Sequence, residues 1–332
     1  MGDPTGIGPE IILKALSTKV PFQFCRPIVL GDEGVLLKTA GLLGSSLSVE
    51  RITEIPNRGY QPERVWVAPI SRLDAPSLTF GKPDRSCGKA MVMYIEEAVK
   101  WALSGKLGAI TTCPINKQAI HAAGYLFSGH TELLAHLTQA SSTAMMFVGS
   151  KWKVALVTTH LPMREVPEQV TVERILTVIR LTAEGLKYFF GIPTPRIAVL
   201  GLNPHCGEEG LFGAEEKNAI LPAIAKAKSV GMDTEGPFSA DSFFSLPGSP
   251  SFHAVIAMYH DQGLIPIKMS GFSEAVNLTL GLPIIRTSVG HGTAYDIAGK
   301  GLADPTNLIH ALSIASKLAK LKNNPPHPIP LP

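Results

Sequence analysis

The chain has 332 residues, of which 45% are hydrophobic and 17% charged, so it can bury a large apolar core as a globular protein of one or two domains. Thirty basic against 27 acidic residues leave a formal charge of +3 without a basic run, which argues against a nucleic-acid-binding protein. No apolar stretch approaches the roughly 18 residues of a membrane-spanning helix, and the first residues lack the pattern of a signal peptide.

Short apolar runs rich in Val and Ile alternate with helical stretches along the chain. This pattern is typical of buried parallel strands joined by crossover helices on both faces of a sheet. The strands are predicted at 27–30, 65–68, 109–112, 154–158, 197–200 and 254–258. The helices are predicted at 9–16, 88–103, 171–190, 214–228 and 307–321. The sequence therefore predicts an α/β fold.

The two ends of the chain carry separate expectations. The loop Gly2–Glu10 leads into a helix with Pro9 in its first turn, and because such a loop normally follows a strand, we expect a strand before it. The proline-rich tail, residues 322–332, is predicted to be extended. The four cysteines are far apart and form no C-x-x-C pair, which predicts free thiols in a reducing cytoplasm.

Three of the predicted strands are each followed closely by a histidine, namely His160, His205 and His260. Ligands bind at the carboxyl ends of strands in open α/β sheets, so three neighbouring ends can bring these imidazoles to one point. Three imidazoles with an open coordination position are typical of a catalytic transition-metal site. The alternative is that each histidine only makes an ordinary hydrogen bond in a loop or the core.

Two neighbours of these histidines leave two interpretations open. Asp261 either orients the imidazole of His260 or caps the next turn. Cys206 is either a thiolate ligand or a small buried apolar residue, and we favour the second.

Lys268, Asn277 and Arg286 follow one another at intervals of nine in an otherwise apolar region. Burying cations among apolar residues is costly, so a bound phosphate or carboxylate would explain them, although plain surface exposure is the alternative. His130 and Thr131 open a predicted helix whose free N–H groups also suit an anion, but Thr131 is explained nearly as well as a cap.

A glycine-rich segment runs from His291 to Asp304 and feeds the last predicted helix. Such a segment lets backbone approach a ligand closely. Its spacing is not G-x-G-x-x-G, so any nucleotide site here is not of the Rossmann type.

Taken together, these segments resemble the 4-hydroxythreonine-4-phosphate dehydrogenase family of pyridoxal phosphate biosynthesis, in order and from residue 2 to about residue 320. The resemblance rests on Gly2–Glu10, Cys113–Lys117, Gly129–Glu132, Thr159–Pro162, Asn203–His205, Met258–Gly263, His291–Ala294 and Asp296–Gly301.

The resemblance implies a fold like that of isocitrate and isopropylmalate dehydrogenases, with two α/β/α domains and a cleft between them. The first domain would comprise residues 1–125 and 280–332 and carry the nucleotide loop. The second, residues 126–279, would carry the metal-binding histidines and the dimer contacts. The resemblance also implies a homodimer whose active site is completed by the partner chain.

The resemblance further implies the roles of individual residues. The metal ligands would be His160, His205 and His260, and the cofactor NAD or NADP would lie on the loop of His291, Gly292, Asp296 and Asp304. The substrate-binding residues would be His130, Thr131, Lys268, Asn277 and Arg286. The ionisable candidates for the general base are Lys117 and Asp241.

The function implied is the metal-dependent oxidation of 4-phosphohydroxy-L-threonine, followed by loss of CO₂ to give 3-amino-2-oxopropyl phosphate. The divalent ion would be Zn²⁺, Co²⁺, Mn²⁺ or Mg²⁺. Related enzymes act on other phosphorylated sugar acids or on a cyclic dihydrodiol dicarboxylate. A phosphate acyltransferase and a non-catalytic metal or phosphate sensor are the alternatives from other classes.

Overall fold

The computed structural model describes residues 1–127, 129–245 and 251–323, so most of the predicted extended tail lies outside it. The strands are β1 (Val29–Gly31), β2 (Ser48–Arg51), β3 (Arg64–Pro69), β4 (Ile110–Thr112), β5 (Ala144–Val148), β6 (Lys153–Leu156), β7 (Arg196–Leu200), β8 (Asp233–Phe238), β9 (Ala254–Ala257), β10 (Val276–Leu280) and β11 (Arg286–Ser288). The helices are α1 (Gly8–Leu16), α2 (Glu33–Leu42), α3 (Arg85–Leu103), α4 (Lys117–Ala122), α5 (His130–Thr138), α6 (Val166–Gln169), α7 (Val172–Phe190), α8 (Leu221–Ser229), α9 (Ala240–Phe243), α10 (His260–Ser270) and α11 (Thr306–Asn323). The predicted α/β fold class is confirmed. Within these described ranges, no helix has the length and apolar character needed to cross a membrane.

The chain divides into two compact units. The first unit consists of Met1–Ala140 and Leu282–Lys317, and the second of Ser141–Gly281 with the described residues that follow Lys317. The first unit is therefore assembled from two separate stretches of sequence. The domain boundaries that the resemblance implies stay a prediction.

In the first unit, β3 lies between β1 and β2, and both pairings are parallel. Strand β11 pairs with β4, also in parallel, with Arg286 opposite Ile110. One face of α1 is almost fully buried and packs with β1, β3 and the residues around Val289 in one apolar core. That core places the glycine-rich segment beside the start of the chain.

In the second unit the strand order is β10-β5-β6-β9-β7-β8. The three strands predicted in this unit, β6, β7 and β9, are parallel neighbours, as predicted. Strands β5 and β10 were not predicted, and β5 runs antiparallel to both β10 and β6. The cause is a tight connection: Gly149 N donates to Trp152 O at 2.9 Å, and a hairpin this short can only join antiparallel strands. From β6 to β8 the strands are parallel.

The helix predicted at 171–190 forms as its end signals indicate. The Thr171 side chain accepts a hydrogen bond from Arg174 N, and Gly191 ends the helix in the left-handed conformation. Helix α10, by contrast, was not predicted, because Gly263 and Pro266 lie inside it. A Cβ at Gly263 would lie 2.7 Å from Leu156 Cδ2, so close packing against β6 requires the glycine.

The contact between α3 and α4 yields a test of the packing. A Cβ added at Gly88 of α3 would lie 1.9 Å from Ala119 O, a backbone atom that cannot move aside. Although alanine normally favours a helix over glycine, we expect Gly88→Ala to lower the free energy of unfolding by about 1–3 kcal/mol. Urea unfolding measures the change.

Gly41→Ala is the matched control, since Gly41 is also helical and no atom lies within 4 Å of an added Cβ. This substitution should raise the free energy of unfolding by about 0.5–1 kcal/mol. Equal stability changes in the two variants would contradict the described packing of α3 on α4.

Candidate functional site

The three predicted metal-binding histidines follow three neighbouring parallel strands of the second unit. Strand β9 is paired with β6 on one side and with β7 on the other. The pairing extends past the strands, because Thr158 N donates to Met258 O at 3.1 Å. The chain thus brings His160, His260 and His205 to one edge of the sheet, where ligands of α/β proteins bind.

His160 and His260 lie together, with their ring centroids 5.8 Å apart. Asp261 Oδ1 is 2.7 Å from Nδ1 of His260. An ionised carboxylate accepts the proton of Nδ1, which leaves Nε2 of that imidazole as the free lone pair. Of the two interpretations of Asp261, the structure favours orientation of the imidazole.

His205 lies on a different kind of segment from the other two histidines. Residues His205–Glu209 all have positive φ values, between 41° and 81°. The His205 ring is exposed and lies 6.5 Å from the Phe212 ring, with Nδ1 3.7 Å from Glu208 Oε1. In the described part of the chain, no three His, Cys, Asp or Glu side chains are grouped closely enough to hold a metal ion. The imidazoles suit a divalent transition metal chemically, but only two of them are adjacent.

Glu216 holds the segment that leads to His205, and the sequence analysis missed it. Its carboxylate is 4% exposed, and Oε1 accepts hydrogen bonds from Leu202 N at 2.7 Å and Asn203 N at 2.8 Å. Oε2 accepts another from Asn203 Nδ2 at 2.9 Å. These bonds fix the backbone just before His205. The only sequence signal was an acidic residue at the start of a helix that follows a histidine loop.

Asp241 lies in the second unit near His205, at the start of α9. It is exposed, and Ser239 Oγ donates to its Oδ1 at 2.5 Å. This bond, with a second from Ser242 N and a smaller effect of His205, lowers the pKa of the carboxyl group. A carboxylate with a lowered pKa is a weak base at neutral pH.

In the first unit, Arg286 forms the centre of a buried cationic site. It is 2% exposed on β11, and Nη2 donates to Thr112 Oγ1 on β4 at 2.7 Å. Burial lowers the pKa of Arg286 to about 9. The surface-exposed alternative for this residue is therefore wrong. Thr112 was missed as a site residue, although it directly precedes the motif Cys113–Lys117.

His130 and Thr131 form the first turn of α5, as predicted for an anion-binding helix start. Burial first, and then the charges of Arg286 and the terminal amine, hold the pKa of His130 well below its ordinary value. Its Nε2 is buried and makes no hydrogen bond with the described chain. Lys117 is exposed at the start of α4, and its Cε would lie 3.6 Å from a Cβ on Gly129, so it borders the same helix start.

The other two predicted substrate residues belong to the second unit. Lys268 on α10 is half-buried, with Nζ 5.5 Å from the centroid of Phe272. Asn277 lies on β10 opposite Phe147, and its Oδ1 is buried without a hydrogen bond to any described residue. Neither residue is a plain surface group.

The glycine-rich segment, His291–Asp304, is called the glycine loop below. His291 Nε2 is buried and makes no hydrogen bond in the described chain, so it can accept or donate one to a ligand. Gly292 has no atom within 4 Å of an added Cβ, and Asp296 is exposed. Asp304 accepts bonds from Thr306 N and Oγ1, which lower its pKa and cap α11. That this loop binds a nucleotide stays a prediction.

Comparison with known proteins gives consistent relatives. Residues 23–315 match the family described as "Pyridoxal phosphate biosynthetic protein PdxA". A 4-hydroxythreonine-4-phosphate dehydrogenase of Desulforapulum autotrophicum is 51% identical over 322 residues, covering 97% of this chain and 94% of that protein. A D-threonate 4-phosphate dehydrogenase of Cupriavidus necator is 43% identical, covering 96% of both. The crystal structure of a 4-hydroxythreonine-4-phosphate dehydrogenase from Klebsiella pneumoniae superposes with a TM-score of 0.88 at 40% identity, covering 96% of both chains.

All three relatives are dehydrogenases by name, so the predicted enzyme class, an oxidoreductase, is confirmed. The acyltransferase and sensor alternatives are set aside on the same ground.

The lowered pKa of His130 gives a test by pH. The unfolded chain binds a proton at this histidine below about pH 6.5, whereas the folded chain does not. The free energy of unfolding should therefore fall as the pH drops below that value, by at most about 1.4 kcal/mol per pH unit from this residue. In His130→Gln this part of the loss should vanish.

His121→Gln is the control, because His121 is an exposed histidine of the same unit. Urea unfolding between pH 5 and pH 8 compares the three proteins. If the wild type and His130→Gln lose the same amount of stability over this range, His130 is not kept neutral by burial in the folded chain.

Proposed function

Because the chain belongs to the PdxA family of pyridoxal phosphate biosynthetic proteins, we propose that it oxidises 4-phosphohydroxy-L-threonine with NAD or NADP. Decarboxylation of the resulting β-keto acid would give 3-amino-2-oxopropyl phosphate. The observation that carries the proposal is the buried guanidinium of Arg286, placed with His130 in the first unit.

A dianionic phosphate explains why this cation is buried. Burying a charge inside a protein is costly, and Thr112, which accepts from Nη2 of Arg286, is a neutral group. A phosphate offers Arg286 two oxygens for paired hydrogen bonds and accepts further ones from Thr131 and the first N–H groups of α5. His130 would serve as a neutral donor at Nε2. Lys268 and Asn277 are proposed as further substrate-binding residues.

The metal site is proposed from donor chemistry. His160 and His260 would hold one divalent ion, and His205 would join them from its loop at the neighbouring strand end. Imidazole ligands favour Zn²⁺, Co²⁺ or Mn²⁺ over Mg²⁺. When bound, such an ion supplies Lewis-acid stabilisation of negative charge on the substrate oxygen, both in oxidation and in decarboxylation.

The chain itself must accept the proton of the substrate hydroxyl. Each unit supplies one candidate for this base. Lys117 borders the start of α5, and Asp241 lies within electrostatic range of His205. Lys117→Met and Asp241→Asn distinguish the two, because only loss of the true base lowers kcat while the KM for substrate is kept.

D-threonate 4-phosphate is the second candidate substrate, since the relative from Cupriavidus necator that is named for it is 43% identical to this chain. It carries the same phosphate, so the Arg286 site does not separate the two. Comparison of kcat/KM for the two compounds with the purified enzyme decides between them. A higher kcat/KM with D-threonate 4-phosphate would show that this compound, and not 4-phosphohydroxy-L-threonine, is the substrate.

We also propose that the enzyme is a cytoplasmic homodimer. No disulfide joins Cys25, Cys87, Cys113 and Cys206, as expected for a reducing compartment. Met269 and Phe272, at 83% and 62% exposure, put apolar surface on the outside of the second unit, which a partner chain would cover.

Metal dependence is the first test of this function. Dialysis against a strong chelator should abolish NADH formation, and Zn²⁺, Co²⁺ or Mn²⁺ should restore it. His260→Ala should lose bound metal, as measured by elemental analysis, while His253→Ala keeps it, because His253 accepts a hydrogen bond from Arg196 N at the opposite end of β9. Turnover by demonstrably metal-free enzyme would refute the metal role.

The anion site is the second test. Arg286→Lys loses the two-pronged hydrogen bonding of the guanidinium, so the KM for the phosphorylated substrate should rise at least tenfold, about 1.5–3 kcal/mol, while the KM for NAD changes little. Arg196→Lys is the control, since Arg196 forms its ion pairs at the surface. An unchanged KM for substrate in Arg286→Lys would show that the substrate phosphate does not bind at Arg286.

A further inference from the structure

Residues 2–16 of the chain, which form a loop and α1, contact the glycine loop at several points. These residues, Gly2–Leu16, are called the N-terminal platform below. They belong to the first unit, as the glycine loop does. Neither the proposed metal site nor the proposed phosphate site uses any of their side chains, yet two of these side chains, Asp3 and Glu10, are charged and buried.

The first anchor is the ion pair of Glu10 and Lys14 on α1, whose charged groups are 2.9 Å apart. The Glu10 carboxylate, 1% exposed, accepts hydrogen bonds from Ala303 N at 2.8 Å and Gly301 N at 3.3 Å. Lys14 Nζ donates to the carbonyl oxygens of the same two residues, both at 2.7 Å. The ion pair thus binds the backbone N–H and C=O groups of Gly301 and Ala303, at the end of the glycine loop.

The second anchor is Asp3, which is fully buried. Its Oδ2 accepts a hydrogen bond from the Tyr295 hydroxyl, in the middle of the glycine loop. Its Oδ1 is held by Thr5, through the backbone N–H and Oγ1, both at 2.8 Å. One carboxylate therefore joins the platform to the loop.

The backbones also approach each other closely. Ile7 N donates to Thr293 O at 3.1 Å. A Cβ at Gly6 would lie 3.1 Å from the same oxygen, so a larger residue there would press on the glycine loop.

The glycine loop has no strand or helix of its own over residues 291–304, so its shape comes from these outside contacts. Three glycines lie in it, and glycine gives up the most backbone freedom on ordering. We propose that Glu10, Lys14, Asp3 and Tyr295 are positioning residues that pre-order the glycine loop for the dinucleotide cofactor. This inference rests on the proposed function, in which the loop binds NAD or NADP.

Tyr295→Phe tests the proposal in the full-length enzyme, because it removes one anchoring hydroxyl and keeps the ring. If the loop is ordered in only a tenth of the variant molecules, the dissociation constant for NADH rises about tenfold, since only the ordered fraction binds. NADH fluorescence measures this constant. Lys14→Met should act in the same direction and, in cofactor-free protein, should speed hydrogen exchange at the amides of Gly301 and Ala303.

Tyr94→Phe is the matched control, because the Tyr94 hydroxyl also makes a buried hydrogen bond in the first unit, to Ser71 Oγ at 2.7 Å. It should leave NADH binding and exchange at both amides unchanged. Wild-type NADH affinity in Tyr295→Phe and Lys14→Met, or an equal loss in Tyr94→Phe, overturns the positioning role. A wild-type enzyme that binds neither NADH nor NADPH overturns the proposed function and this inference with it.

Discussion

The hydrogen bonds that pair β9 with β6 and with β7 are the constraint on which the proposed metal site depends. They make the three strands parallel neighbours and put the residues after them at one edge of the sheet. That edge is formed by the carboxyl ends of the parallel strands, where ligands of open α/β sheets bind. Without this ladder, three histidines spread over 100 residues would not follow strands that end at one edge of a sheet.

The same ladder explains what the sequence could predict. An apolar run followed by a histidine occurs three times. Because neighbouring parallel strands end at one edge of a sheet, this pattern predicts that the three histidines lie at that edge. The short hairpin that turns β5 antiparallel left no such pattern, since an apolar run does not encode direction. Helix α10 was hidden by Gly263, which tertiary packing against β6 requires. The left-handed run at His205–Glu209 follows backbone that Glu216 holds through hydrogen bonds, and the helix and strand propensities of single residues do not predict such a tertiary contact.

Buried charged side chains hold, or lie beside, the candidate functional segments of both units. Glu216 holds the backbone that leads into the His205 loop, Glu10 and Asp3 hold the glycine loop, and Arg286 lies beside the first turn of α5. Each of the three carboxylates accepts hydrogen bonds at both oxygens, most of them from backbone N–H groups of irregular segments. Loops that lack their own hydrogen-bond ladder need partners of this kind to keep one shape.

Satisfaction of hydrogen bonds separates residues that position from residues that bind. The carboxylates of Asp3, Glu10 and Glu216 have partners within the chain, so their task is complete without a ligand. His130, Asn277 and His291 each keep one buried polar atom that makes no hydrogen bond in the described chain. Thr182 in α7 has such an atom too, so an unsatisfied group alone does not identify a site. A second reason applies to each of the three binding candidates: His130 lies at the start of α5, Asn277 belongs to the polar residues at intervals of nine, and His291 lies in the glycine loop. A ligand that forms hydrogen bonds with these atoms recovers the cost of leaving them unbonded.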